Sequence, residues 1–210
     1  MSETKQAEDI RDWIGRHLDP LEDKEPVDGV HMEPDVAEML DGPPTPASVL
    51  IGLVERPRGY TVLLTRRADT LRRHTGQIAL PGGRRDPGET AWDTALREAE
   101  EEVGLNPNFV SLPGLSTPMV THSGYLITPV VGFIRQGFEL RPNPDEVADV
   151  FETPFGFLMD PANHQVHQHD FGEGRTRQYY AMVHDERFIW GVTAEILRCL
   201  YHRLYGAALA

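Results

Sequence analysis

Three glutamates, Glu98, Glu101 and Glu102, lie in one predicted helix and carry the clearest chemical signal of this sequence. At about 100° per residue, Glu102 lies about +40° and Glu101 about −60° from Glu98, so the carboxylates share one arc of roughly 100°. Like charges three and four residues apart destabilise a helix. A hard divalent cation on oxygen ligands would offset that repulsion. The three glutamates alone fit either a divalent-metal site or a solvated acidic face.

The residues around the glutamates favour the metal site. They follow the pattern G-x5-E-x7-R-E-U-x-E-E-x-G-U, where U is apolar, and every specified position is filled. The glycine-rich segment before the helix is predicted to be a loop that allows close approach of the backbone to a ligand. Besides the three glutamates, the members of the pattern are Gly83, Glu89, Arg97, Ala99, Gly104 and Leu105.

This pattern resembles the Nudix box, with a small alanine at the first apolar position as its one departure. The resemblance implies an α/β Nudix fold, in which a mixed β-sheet is sandwiched between helices. It also implies hydrolysis of a diphosphate chelated to Mg²⁺ or Mn²⁺, with water activated by the ion as the nucleophile. The predicted cofactor is therefore Mg²⁺ or Mn²⁺.

We expect Glu98 and Glu102, one helical turn apart, to be the principal metal ligands, with Glu101 completing the set. The resemblance adds the backbone carbonyl near Gly83 as a further ligand. Arg97 would orient one of the carboxylates. Glu89 would support the loop or contact the metal through water.

The general base is a separate question, since its position varies within the resembled family. Glu146, in the Asp145–Val147 segment between two prolines and a predicted strand, is the first candidate. The alternative, an exposed acidic residue in a turn, is equally compatible with the sequence.

Arginine is concentrated just before the box. The segment from Arg56 to Arg85 contains eight arginines and one aspartate in a chain of net charge −13. Guanidinium groups recognise phosphate through paired hydrogen bonds, so a phosphate-rich ligand is indicated. Arg67 and Arg72 are the specific candidates for substrate contacts, together with the backbone at Gly82.

The stretch from Leu63 to Gly83 resembles the signature that precedes the box in coenzyme A pyrophosphatases, L-L-T-x-R-[SA]-x3-R-x3-G-x3-F-P-G-G, with Leu80 in place of phenylalanine. The resemblance implies cleavage of coenzyme A or acyl-coenzyme A to 3′,5′-ADP and (acyl-)4′-phosphopantetheine. Three alternatives stay open: hydrolysis of another nucleoside diphosphate derivative such as ADP-ribose, a non-catalytic module that senses nucleotides, and an acidic structural protein. The matching residues are Leu63, Leu64, Thr65, Arg67, Ala68, Arg72, Gly76, Pro81, Gly82 and Gly83.

Hydrophobic periodicity places these motifs on a succession of strands and helices. We predict strands at 47–55, 60–65, 109–115 and 126–134, and a hairpin over 164–180. The box helix begins at Glu89 or Thr90 and ends at Gly104. A terminal helix is predicted over 188–205. We expect an N-terminal helix and a Pro/Asp-rich arm over residues 1–45, followed by the Nudix domain over residues 46–210.

Composition limits the class of protein and its partners. The acidic net charge argues against nucleic acid as a partner, and no apolar run is long enough to span a membrane. The polar N-terminus has no signal-peptide core, so a cytoplasmic location is expected. The single Cys199 argues against a disulfide framework and against a zinc site built from cysteines. The predicted partner is a small-molecule substrate, and a homodimer is the oligomer that the resemblance implies.

Overall fold

The computed structural model describes residues 9–22, 30–32, 36–40, 42–70, 75–170 and 176–206. Within them, five α-helices and twelve β-strands alternate, with short 3₁₀ turns at Pro107–Phe109 and Pro161–Asn163. The helices are α1 (Ile10–Arg16), α2 (Val36–Met39), α3 (Ala91–Val103), α4 (Phe155–Leu158) and α5 (Val192–Tyr205). The strands are β1 (His31–Met32), β2 (Thr45–Arg56), β3 (Gly59–Arg67), β4 (Ile78–Ala79), β5 (Gly82–Arg84), β6 (Val110–Leu115), β7 (Met119–Val120), β8 (Tyr125–Ile134), β9 (Val147–Pro154), β10 (Gln165–Asp170), β11 (Thr176–His184) and β12 (Arg187–Trp190).

A mixed sheet forms the centre of the fold. In the described chain its strand order is β1-β7-β8-β2-β3-β4, while β5, β6 and β9 pair with β2, β8 and β3. The long pair β2–β8 is parallel, and β2–β3 is antiparallel. The near-continuous apolar runs of β2 and β8 are buried on both faces, as expected for a central sheet. A second, antiparallel sheet has the order β10-β11-β12.

Helices cover the central sheet on both faces, which confirms the predicted α/β sandwich. On one face, Leu50, Val54 and Val130 pack against the small residues Ala95 and Ala99 of α3. On the other face, a larger core joins β2, β3 and the second sheet to α5. The box helix is therefore held against the sheet over most of its length.

Local sequence sets both ends of α3. Thr90 is the N-cap, and its side chain and that of Asp93 form a reciprocal capping box. Gly104 ends the helix in the left-handed conformation, with φ of 69°, as predicted from its position. The carboxylates therefore occupy fixed positions on a helix with well-defined ends.

The N-terminal helix packs on the central domain. Ile14 of α1 is fully buried in the larger core, and Trp13 lies with its ring centroid 5.3 Å from that of Tyr205 on α5. Strand β1 extends the central sheet by parallel pairing with β7. The division at residue 45 stays a prediction, although the described parts of the arm contact the domain.

Two element predictions are wrong. Residues 187–190 form strand β12 rather than the start of the terminal helix, because Ile189 pairs with Met182 and both side chains are buried. Gly191, with φ of 62°, separates this strand from α5. The Gly82–Gly83 segment, expected to be a loop, forms the short strand β5 against Ala47–Val49. The predicted hairpin over 164–180 is confirmed as β10–β11, and its turn at 171–175 lies outside the described residues.

Candidate active site

Glu102 is the most deeply buried carboxylate of the box helix. Its side chain is 5% exposed, and the backbone N–H of Gly82 donates to its Oε2 at 3.3 Å. A side chain at Gly82 could not be accommodated, since an added Cβ would lie 2.4 Å from the carbonyl oxygen of Ser48. The glycine therefore lets β5 pass close to β2 and brings its amide to the carboxylate.

Glu98 faces the adjacent glycine. An added Cβ at Gly83 would lie 2.3 Å from Oε1 of Glu98, so a larger residue there would displace the carboxylate from this position. The side chain of Glu98 is 15% exposed. Strand β5 and helix α3 thus bring the Gly83 backbone and the Glu98 carboxylate together, as the box pattern requires.

Arg97 joins the remaining acidic residues of the box. Its Nε donates to Glu89 Oε1 at 2.6 Å, and its Nη1 donates to Glu98 Oε1 at 2.9 Å and to Glu101 Oε2 at 3.1 Å. Its Nη2 also donates to the carbonyl oxygen of Arg84 at 3.1 Å. Because one planar group contacts three carboxylates, Arg97 fixes their orientation. Glu101 itself lies at the rim, with 56% of its side chain exposed.

Arg67, at the end of β3, points to the same side as the carboxylates. Its Nη1 lies 3.9 Å from Glu102 Oε1. The neighbouring Arg66 points to the opposite face of the strand and pairs with Asp69 at 2.8 Å. The other predicted substrate residue, Arg72, lies outside the described residues.

Glu146 lies beside the end of β3. Its backbone oxygen accepts a hydrogen bond from Ala68 N–H at 2.8 Å, and its half-buried side chain accepts one from Asn143 Nδ2 at 3.3 Å. Burial is the main cause of the raised pKa of Glu98 and of Glu102, and the charge of Glu146 adds a smaller contribution to both. It therefore lies within electrostatic range of the box carboxylates.

Asn143 links this loop to the box helix and was not predicted from sequence. Its N–H donates to the carbonyl oxygen of Glu102 at 2.9 Å, and its side chain donates to Glu146. Thr94, also missed, is buried and donates to Glu89 Oε2 at 2.7 Å. The Asn143–Pro144 dipeptide is a turn signal that could have indicated the first; nothing in the sequence singles out the second.

The chain has clear relatives. Residues 44–173 match the NUDIX domain. NudL of Yersinia pestis (strain Pestoides F), a Nudix hydrolase described as uncharacterized, is 42% identical over 156 residues, which cover 73% of this chain and 77% of NudL. The chain belongs to the Nudix family. Among solved structures, DR0079 from Deinococcus radiodurans is similar, with 16% sequence identity and a TM-score of 0.49. The match covers 75% of this chain and 83% of DR0079.

Two carboxylates of this Nudix site are buried, and the nearby positive charges do not offset the cost of that burial. Burial and then the charge of Glu98 raise the pKa of Glu102 from 4.5 to about 7, and burial raises the pKa of Glu98. By contrast, the hydrogen bond from Arg97 lowers the pKa of Glu89 to about 2. Glu89 is therefore stabilised in its charged form by Arg97, whereas burial outweighs the effect of Arg97 on Glu98 and of Arg67 on Glu102.

These residues fit a divalent cation. The side-chain donors are carboxylate oxygens, which Mg²⁺ and Mn²⁺ prefer, and the Gly83 backbone lies directly against the carboxylate of Glu98. In the described structure, the three glutamates do not form a set with ligand atoms all within 4.8 Å of one another. That Glu98 and Glu102 are the principal ligands, with Glu101 completing the set, stays a prediction.

None of the described helices is both long and apolar enough to cross a membrane.

Proposed function

We propose that this Nudix protein hydrolyses the diphosphate bond of coenzyme A or acyl-coenzyme A, releasing 3′,5′-ADP and (acyl-)4′-phosphopantetheine. The observation that carries the proposal is the position of Arg67. It belongs to the arginine-rich segment before the box, and its guanidinium group lies at the carboxylate site, 3.9 Å from Glu102. Backbone hydrogen bonds also anchor this segment: Ala68 N–H donates to the Glu146 carbonyl oxygen, and the Pro81 carbonyl accepts from Leu50 N–H.

The charge of coenzyme A matches this arrangement. The molecule carries a diphosphate and a 3′-phosphate, so it presents more negative charge than ADP-ribose. Arg67 would contact the diphosphate beside the carboxylates, where a planar guanidinium binds two phosphate oxygens at once. Arg72, from the same segment, is proposed as a further phosphate contact.

The residues divide the chemistry among them. Glu98 and Glu102, with Glu101 and the Gly83 carbonyl, would hold a divalent cation, which neutralises phosphate charge and makes water more acidic. Glu146 would accept the proton of the attacking water. The P–O bond to the bridging oxygen breaks as the new P–O bond forms, and Arg67 stabilises the negative charge left on the phosphates. Arg97 and Glu89 position the carboxylates without contacting the substrate.

Product analysis with coenzyme A, its 3′-dephosphorylated form and ADP-ribose, each with Mg²⁺ or Mn²⁺, tests the substrate. We expect 3′,5′-ADP from coenzyme A and much poorer use of the other two. A preference for ADP-ribose would replace coenzyme A with another nucleoside diphosphate derivative. Nucleotide binding without turnover of any substrate would instead indicate a sensing module.

Adjacent arginines provide a matched pair of variants. Arg67→Gln should lower kcat/KM for coenzyme A about 10- to 100-fold, because the loss of one hydrogen bond to a charged group has an effect of about that size. Arg66→Gln, on the opposite face of the strand, should leave it close to wild type. Equal effects of the two substitutions would contradict the role of Arg67.

Glu146→Gln tests the general base. We expect kcat to fall about 10²- to 10⁴-fold, with little change in the Mn²⁺ affinity measured by calorimetry. A near-normal kcat would show that Glu146 is only a loop residue.

A further inference from the structure

A second cluster of metal-ligating side chains lies on the opposite face of the central sheet from the carboxylate helix. It consists of His31 on β1 and of Glu195 and Cys199 on α5. Helix α5 packs into the larger core through Ile196, Leu197 and Leu200, whereas α3 packs into the other core. The cluster is therefore separate from the Nudix site.

The three ligand atoms lie at the spacing that a small ion requires. His31 Nε2 is 3.0 Å from Glu195 Oε1, Cys199 Sγ is 4.0 Å from the same oxygen, and all three lie within 4.8 Å of one another. Ligands of a tetrahedral zinc ion, at about 2.0–2.3 Å from the metal, are about 3.3–3.8 Å apart. The two distances to Glu195 Oε1 bracket that range.

Secondary structure, and not only their mutual contacts, brings these groups together. Glu195 and Cys199 are four residues apart on α5 and so project from one face of the helix. His31 is held by parallel pairing with Met119 and by its own N–H, which donates to the Pro118 carbonyl at 2.7 Å. The ligands therefore come from two segments that are 164 residues apart in the chain but are each anchored by backbone hydrogen bonds.

Burial and ligand type define the ion. Cys199 is 1% exposed and Glu195 is 8% exposed. One nitrogen, one oxygen and one sulfur donor suit Zn²⁺ and Co²⁺, whereas Mg²⁺ prefers oxygen alone. Three protein ligands leave a fourth tetrahedral position for water or another small ligand.

Arg198 competes with the ion for the carboxylate of Glu195. Its Nη1 lies 3.0 Å from Glu195 Oε1, the oxygen that also faces His31 and Cys199. Its guanidinium carbon lies 4.1 Å from the Tyr180 ring centroid, which gives the group a second favourable contact. An ion must displace Arg198 from this oxygen, so Arg198 sets the affinity of the site and balances the charge of Glu195 when no ion is bound.

We propose that His31, Glu195 and Cys199 form a binding site for one Zn²⁺-type ion, which fastens the β1 segment of the N-terminal arm to helix α5. Binding replaces the contact between Arg198 and Glu195 with three metal–ligand bonds. It also releases the thiol proton of Cys199 to solvent, because thiolate is the metal-binding form.

Cobalt spectroscopy tests the site on the full-length chain freed of metal. Cys199 is the one cysteine of the sequence, so any cobalt–thiolate absorption band must arise from it. We expect a band that saturates at one Co²⁺ per chain and disappears when Zn²⁺ is added. Cys199→Ser should lose the band, and His31→Gln should shift its midpoint to a higher Co²⁺ concentration.

Two further variants separate this site from its surroundings. Glu102→Gln, in the Nudix site, should leave the band unchanged. Arg198→Gln should move the midpoint to a lower Co²⁺ concentration, the opposite direction to His31→Gln. A purely structural ion-pair network has no reason to give that result.

The proposal is overturned if the wild-type chain shows no band under saturating Co²⁺. It is also overturned if His31→Gln binds Co²⁺ as well as the wild type does, or if Arg198→Gln binds it more weakly. Circular dichroism of each variant shows that it is folded. If Cys199→Ser does not fold, the Co²⁺ affinity of His31→Gln and the displacement of Co²⁺ by Zn²⁺ still test the site. Hydrolase activity is not a readout, so the test is independent of the proposed substrate.

Discussion

Replacing Glu102 with glutamine should stabilise the metal-free protein above pH 7 while abolishing its hydrolase activity. The Glu102 side chain is 5% exposed, and burial followed by the charge of Glu98 raises its pKa from 4.5 to about 7. Glutamine has nearly the same shape and keeps an oxygen that can accept from Gly82 N–H. It removes the buried charge, which is the unfavourable part of the arrangement when no cation is bound.

The magnitude follows from the shift in pKa. Each unit corresponds to about 1.36 kcal/mol, so a shift from 4.5 to about 7 sets an upper limit of about 3 kcal/mol. Because the pKa is raised in the folded state, folding takes up a proton between these two values. Stability of the wild type therefore falls as pH rises through this window. The gain from Glu102→Gln should be absent below about pH 4.5 and complete above about pH 7.

Urea unfolding in the presence of EDTA, at pH 4.5 and pH 8, measures this effect. Glu101→Gln is the matched control, since Glu101 is 56% exposed and its substitution should give no comparable gain. The reasoning is refuted if Glu102→Gln destabilises the protein at pH 8, or if its gain is equal at both pH values. Adding Mg²⁺ should reverse the order of stability, because the wild type gains a ligand that the variant binds poorly.

Three further changes test other parts of the site. Gly83→Ala should lower kcat/KM at least about tenfold, because its Cβ would lie 2.3 Å from Glu98 Oε1; steady-state kinetics unaffected by the change would contradict this close approach. Arg97→Gln should return the pKa of Glu89 from about 2 toward 4.5. A lowered carboxylate pKa stabilises the fold above pH 4.5 and loses that contribution as pH falls toward 2, so acid unfolding of the variant should lack this component. Gly104→Ala should cost about 1–2 kcal/mol in urea unfolding, because φ is 69° there, and an unchanged midpoint would argue against that strain.

Sequence reasoning identified the box helix and its ends because those features are local. Helical periodicity places Glu98, Glu101 and Glu102 on one arc whatever surrounds them, and Gly104 is a recognisable helix terminator. The long strands β2 and β8 were equally clear from their apolar runs. The terminal segment shows where this method fails, since pairing with β11 makes residues 187–190 a strand.

The burial of individual carboxylates could not be read from the helix alone. Helical spacing predicts a carboxylate arc on α3 and a separate apolar stripe that includes Trp92 and Val103. Yet Glu102 is as buried as Ala91, while Trp92 is only half-buried. The small residues Ala91, Ala95 and Ala99 let the sheet approach between the two predicted faces. The contact that buries Glu102 comes from Gly82, twenty residues away in the chain.

The amino-acid sequence by itself determined the Nudix motif and the types of ligand that it offers, because both depend on spacing along one helix. Tertiary structure alone decided which side chains reach the site: Arg67 and Arg66 are adjacent in sequence but lie on opposite faces of β3. It also brought His31 to Glu195 and Cys199. Such convergence depends on strand pairing and helix packing between segments far apart in the chain, which no local spacing encodes.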